Sequence, residues 1–300
     1  MFAAGVCYGL NIPFVRIIHD NGFATAEIMV LQYIVGVTTL GIIVVLFFRR
    51  KISLKAVLRL LGVGVLAAGV SFSYYQALAL LPSATAVTLL FQFVWMGVVW
   101  QVIRERKLPP LTTIISMFVI MAGTVLATGI VGNNAGELAS LDPLGLFFGL
   151  LSAAFYTAFL IASGKAANEL PAANRTLFTS LGSLIIALIL CPTFFHETLA
   201  PNITNTGFIL PGIALGIFGI LLPVFLIASS SPHLPSGLAT IMASSELPSG
   251  ILCAMLFMGD VVSPLIVLGV VIILVGIVLS QSSELLSYLK NRRLNEKHEP

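Results

Sequence analysis

The sequence predicts an all-α polytopic membrane protein with about ten transmembrane helices arranged as two inverted five-helix repeats. Three observations carry that expectation. Apolar runs recur along almost the whole chain, basic residues collect in every second gap between them, and one short motif returns halfway along.

The runs cover roughly 2–18, 26–48, 56–80, 83–103, 111–131, 143–164, 173–194, 207–230, 235–257 and 262–282. Each approaches the ~20 apolar residues needed to cross ~30 Å of hydrocarbon. A composition of 58% hydrophobic and 9% charged residues lies outside the range of ordinary globular domains.

Taken in order, span one carries Tyr8-Gly9-Leu10-Asn11 and then Pro13, which lacks an N–H and frees the carbonyl of Gly9. No basic stretch precedes it, so it reads as a retained span. Arg16 near its outer end either snorkels toward Asp20 and Glu27 or gates the outer side. Span two ends in Arg49, Arg50 and Lys51, and span three carries Tyr74-Tyr75-Gln76. Span four follows Leu81-Pro82-Ser83-Ala84, holds Gln92 and Trp95, and closes at Arg104-Glu105. Span five follows Pro110, and a polar outer loop, 132–142, separates the first unit (1–131) from the second (143–282). Span six contains Tyr156, span seven follows Lys165 and carries Arg175 in its first turn, and span eight contains Pro223, which frees the carbonyl of Gly219. These proline interruptions fall at unmatched places in the two halves. Span nine opens with Leu234-Pro235-Ser236-Gly237 and carries Glu246 and Pro248; span ten leads into a charged tail, 283–300, expected to be solvated and partly disordered.

Fourteen of the fifteen Lys and Arg residues lie in the gaps after spans two, four and six, in the first turn of the span that follows such a gap, or in the tail, with Arg16 alone opposite. The positive-inside bias places both termini in the cytoplasm. The net charge of +3 is then a topology signal and no argument for nucleic acid.

Leu-Pro-Ser recurs after 153 residues, at Leu81 and Leu234, and Glu105 with Pro110 is echoed by Asp260 with Pro264. Five crossings per unit force the second copy to enter from the opposite side, the inverted repeat found among secondary transporters. Pairs such as Gly5/Gly9, Gly145/Gly149 and Gly212/Gly216 let helix backbones approach closely in lipid.

Glu246 is the sharpest chemical signal. A carboxylate at bilayer depth costs about 2.5–3.5 kcal/mol on insertion scales, so it must face a wet cavity, find a donor or remain protonated. Pro248 leaves the carbonyl of Ser244 without its helical donor and predicts a kink beside that carboxylate. A structural role, hydrogen-bonded to neighbouring helices, is the alternative. Gln92 falls one or two positions from the repeat equivalent of Glu246, as an interhelical bonding residue or a substrate contact. Trp95 is too central for the interfacial aromatic belt; it and the tyrosines either wall a cavity or pack.

His-Glu-x-x-His is absent, Phe257-Met258-Gly259-Asp260 lacks the first glycine and the second aspartate of an intramembrane aspartyl site, and no phosphate-binding loop is present. Cys7, Cys191 and Cys253 lie in or beside apolar runs at no metal-ligand spacing. Neither an enzyme nor a cofactor is expected.

These pieces in this order resemble the drug/metabolite transporter superfamily, in its EamA-like branch. The likeness spans residues 1–282 and is carried by Tyr8-Gly9-Leu10-Asn11, Tyr75-Gln76-Ala77-Leu78, Glu105, Pro223, Pro235-Ser236-Gly237-Leu238-Ala239, Ser244-Ser245-Glu246-Leu247-Pro248 and Gly259-Asp260. Gln32-Tyr33 stands where many relatives have an Arg, and Gln92 where many have a Pro. The resemblance implies a plasma-membrane carrier, often an exporter, of amino acids, drugs or other small metabolites, with membrane lipid around it and a homodimer left open. A scaffold or passive channel of the same fold is the alternative. The expected substrate-facing residues are Asn11, Tyr74, Tyr75, Gln92, Trp95, Tyr156, Ser245 and Glu246, with Glu246 also the proton-coupling residue.

Overall fold

A computed structural model of the chain describes residues 1–20, 25–48, 50–128, 141–194, 209–259 and 263–295. Among these, thirteen α-helices and no strand are present: α1 (Phe2–Asp20), α2 (Thr25–Phe47), α3 (Leu54–Leu80), α4 (Ser83–Leu90), α5 (Phe93–Glu105), α6 (Leu111–Ala127), α7 (Pro143–Ser163), α8 (Ala172–Phe194), α9 (Ile209–Gly216), α10 (Leu222–Ser230), α11 (Ser236–Ala243), α12 (Glu246–Met258) and α13 (Pro264–Asn295). The number exceeds the expected ten because the stretches read as spans four, eight and nine are interrupted, as α4–α5, α9–α10 and α11–α12. Seven helical stretches are long and apolar enough to cross a membrane. Three shorter apolar helices, Phe2–Val15, Leu111–Ala127 and Pro264–Ser280, accompany them.

Helix starts follow local chemistry. The Ser53 hydroxyl accepts from Ala56 N at 3.3 Å ahead of α3, and Asp142 accepts from Leu144 N at 2.8 Å with Pro143 in the first turn of α7. Pro82, Pro110 and Pro235 open α4, α6 and α11. One sequence expectation needs correction. Pro13 does not interrupt span one, since α1 runs through it. Beyond Ser283 α13 continues into the charged tail as far as Asn295, because Gly and Pro are absent from Ile277 to Asn295 while Leu, Glu, Lys and Arg are good helix formers.

One core serves both halves. Phe93 of α5, Tyr156 and Phe159 of α7, Ile227 of α10, Ile241 of α11 and Leu247 of α12 share a buried cluster. Glycines set the closest approaches: a Cβ on Gly64 would lie 2.1 Å from Thr179 O, and one on Gly182 2.4 Å from Leu61 O, so only hydrogens fit between α3 and α8. Outside, large apolar side chains such as Phe47, Ile103, Phe118 and Leu256 are exposed. That surface suits hydrocarbon and would be an aggregation liability in water.

Candidate functional site

Spans four and nine are broken in the same way, and the break builds the site. Phe91 and Gln92 have φ/ψ of −67°/−4° and −60°/−15°; Ser244 and Ser245, 153 positions later, have −63°/−7° and −59°/−14°. Both are tight turns that join two helices within one span. The repeat continues to the helix ends, where Arg106 and Gly259 are both left-handed, at φ 52° and 68°. Glycine takes that conformation freely; Arg106 pays a steric penalty for it.

The causes of the two breaks differ. In span nine Pro248 offers no N–H to Ser244 O, which is where the turn falls. Span four has no proline there. Instead the Gln92 backbone N–H turns to Leu89 O at 3.1 Å, and its side-chain Nε2 donates to Thr88 O at 2.9 Å, so the amide satisfies the carbonyl that the backbone released. Matched interruptions therefore exist at positions other than the prolines of spans one and eight.

Glu246 is the first residue of α12. It lies deep in the bundle yet remains partly exposed. Tyr156 OH of α7 donates to Glu246 Oε2 at 3.2 Å. Tyr8 of α1 and Tyr74 of α3, both partly exposed, are within electrostatic reach of the same carboxylate. The Tyr156 ring lies 4.5 Å from Phe93 and 6.4 Å edge-on from Tyr8. Five elements thus place one carboxylate within a group of four aromatic rings. α1 is pressed onto α12 here: a Cβ on Gly9 would be 2.8 Å from Glu246 O, and Ser245 Oγ donates to Phe2 O at 2.8 Å.

Of the eight expected residues, Glu246, Tyr156 and Tyr74 come together. Tyr75 is 6.2 Å from Tyr74 by ring centroid and packs beside Tyr33. Ser245 is buried in its bond to α1. Asn11 lies against Gly219 within the π-helical turn Ile217–Leu221, and its Oδ1 has no hydrogen-bond partner among the described residues. Gln92 and Trp95 pair with each other, indole Nε1 to amide Oε1 at 2.8 Å. Gln92 also walls a cleft of about 280 Å³ with Thr88, Phe118, Met121 and Thr124, whose mouth is marked by exposed Phe118. Trp95 stands about 200° around the helix from Phe93.

Two members of the group lay outside the expected set. Phe93 had a signal, since the 153-residue offset aligns it, and not Gln92, with Glu246. Tyr8 had only its place in span one. Arg175, read from sequence as a topology marker, is buried and donates to Ala228 O at 2.7 Å and to Ser163 O, binding the ends of α10 and α7.

Between the broken spans, α5 is sealed against α11. Gly237 N donates to Gln101 Oε1 at 3.0 Å, Thr240 Oγ1 donates to Val94 O at 3.3 Å, and a Cβ on Gly97 would meet Thr240 at 2.3 Å. α4 and α12 pack elsewhere, on α7 and on α1. Among the described residues no group of three His, Cys, Asp or Glu could hold a metal. Asp260, the loop carrying Glu137, and the side chains of Arg16, Asp20 and Cys191 lie outside the described residues.

The sequence model of the EamA-like transporter family matches residues 1–129 and 143–281. The fold is similar to that of a crystal structure described only as a protein, with a TM-score of 0.75 at 15% identity, covering 93% of this chain and 95% of that one. No curated protein matches the chain.

Proposed function

We propose that this chain, which belongs to the EamA-like transporter family, is a plasma-membrane carrier that exports small organic metabolites or drugs by alternating access, coupled to protons at Glu246. The family itself makes it a multi-pass membrane transporter of small molecules. The observation that carries the finer reading is the Glu246–Tyr156 bond at the break of span nine, inside the shared core of both halves. A carboxylate kept at that depth with a neutral donor can exchange a proton for another ligand without leaving its place.

Alternating access is supported by the unequal packing of the broken spans. With both termini cytoplasmic and the halves inverted, α5 and α11 form the cytoplasmic halves of spans four and nine. Their seam closes the path below Glu246, while α4 and α12 are held apart by other partners. In this reading the α5–α11 seam is the closed cytoplasmic gate of the carrier. Its reorientation would open the α5–α11 seam and bring α4 toward α12.

A flux screen in proteoliposomes, across amino acids, amines, nucleosides and drugs at several pH gradients, tests the proposal. Saturable flux that responds to the gradient and disappears in Glu246→Gln is expected. Flux that rises without saturation indicates a channel, and none for any compound leaves a scaffold.

A further inference from the structure

We propose that the outer face of the first turns of α3 binds one anionic phospholipid, its phosphate on Lys55 and Arg59 and an acyl chain along Leu58, Gly62 and Val65. This site is independent of Glu246 and of the transported substrate.

The helix is fixed in rotation. Ala56 and Leu60 are buried against Ala167 of the α7–α8 turn, with Ile52 and Phe178 packed around them. Lys55, Leu58, Arg59, Gly62 and Val65 then fall on the other side, within an arc of about 120°, and all five are exposed.

The charge on this face is uncompensated. No Asp or Glu occurs between Glu27 and Glu105, and among the described residues none of Arg50, Lys51, Lys55 and Arg59 forms an ion pair. Glu169, on the neighbouring turn, is within electrostatic reach of Arg175. Lys55 and Arg59, about one helical turn apart, repel each other across the helix surface. An anion between them removes that cost, and a planar guanidinium beside an ammonium suits a phosphate.

The surface beyond the charges selects a lipid over a soluble anion. Leu58 and Val65 are 59% and 43% exposed, so basic groups and bare apolar surface meet within two turns, as headgroup and hydrocarbon do. Gly62 lies between them, and a Cβ there would meet nothing within 4 Å. Gly64 lacks a side chain because Thr179 O leaves no room for one. No neighbouring helix explains Gly62, which weakens the helix and leaves a notch one side chain deep beside Arg59. An acyl chain laid in that notch puts its phosphate level with the two charges. A headgroup with its own ammonium would set a third cation there, which favours phosphatidylglycerol over phosphatidylcholine.

The test uses purified full-length protein in detergent and reads retained lipid by native mass spectrometry, comparing phosphatidylglycerol with phosphatidylcholine of identical chains. Wild type should retain phosphatidylglycerol about tenfold better, the work of two basic groups at a membrane surface. Lys55→Gln with Arg59→Gln should remove the preference, while Arg104→Gln with Lys107→Gln, at another basic end, should keep it. Gly62→Leu should lower retention with every charge in place. Should the Lys55 and Arg59 variant fail to fold, the headgroup pair on wild type and Gly62→Leu decide the matter. Equal retention of the two lipids overturns the proposal, and so does equal loss in both charge variants, which would mark a general effect of charge. Displacement by inorganic phosphate at the same concentration would make this a soluble-anion site and overturn the lipid, and unchanged retention in Gly62→Leu would overturn the placement of the chain.

Discussion

Spans four and nine share a backbone and differ in chemistry. Both begin after Leu-Pro, turn at two residues of nearly equal φ/ψ, and end in a left-handed residue, at a constant offset of 153 positions. At the first helical position after the turn, span four has Phe93 and span nine has Glu246. The repeat thus supplies two helix breaks at the centre of the bundle, and only one carries charge. The partner copy gives the ring that packs on Tyr156, the residue bonded to that charge. Gln92, one position away from the symmetric site, supports the turn of its own span instead.

The comparison can be broken at several places. The largest effect is expected from locking the seam. A Cβ on Gly237 would lie 3.2 Å from Val98 Cα, so Val98→Cys with Gly237→Cys, in a background with Cys7, Cys191 and Cys253 replaced, should form a disulfide. Oxidation should abolish flux and reductant should restore it; undiminished flux with the crosslink verified would mean that α5 and α11 need not part.

Next is Gly9→Val, which forces a side chain against Ser249 Oγ and Gly250 N, where a Cβ alone would come to 2.1 and 2.5 Å. It should cost about 1–3 kcal/mol, read as a lower unfolding temperature. Gly41→Ala, where a Cβ meets nothing within 4 Å, should cost nothing. Gln101→Leu comes third. It strands the buried Gly237 N–H, worth about 1–3 kcal/mol, and should raise labelling of Thr240→Cys from the cytoplasmic side. The smallest change is expected from Gln92→Leu, which frees Thr88 O at the unloaded break. Apparent affinity or substrate preference should shift while the response to a pH gradient stays, and loss of that response would place coupling at span four.

Much of this was legible in the sequence because it is periodic. The apolar ladder, the basic gaps and the Leu-Pro-Ser repeat are one-dimensional signals of a membrane protein with two related halves. The polar mid-span Glu246 is conspicuous for the same reason, since charge at that depth is costly. Gln92 shows where such reading stops. Its position resembles that of Glu246, but the side chain's direction follows from helix rotation and from a bond to the backbone one turn back. Phe93 is one apolar residue among many, and only the exact offset of 153 positions sets it opposite Glu246. Arg175 is one basic residue among many in sequence, and only tertiary packing makes it the clamp on two helix ends.

The central claim is that one ionisable group, carried by one of two equivalent breaks, drives the cycle. It is tested most directly by flux of a transported substrate under an imposed pH gradient, in wild-type and Glu246→Gln proteoliposomes of equal protein content. Glutamine keeps shape and hydrogen bonding but cannot ionise. The account predicts that Glu246→Gln inserts and folds as wild type does while gradient-driven flux is lost. Flux at the wild-type rate with unchanged pH dependence would contradict it and leave Glu246 as a structural link between α12 and α7.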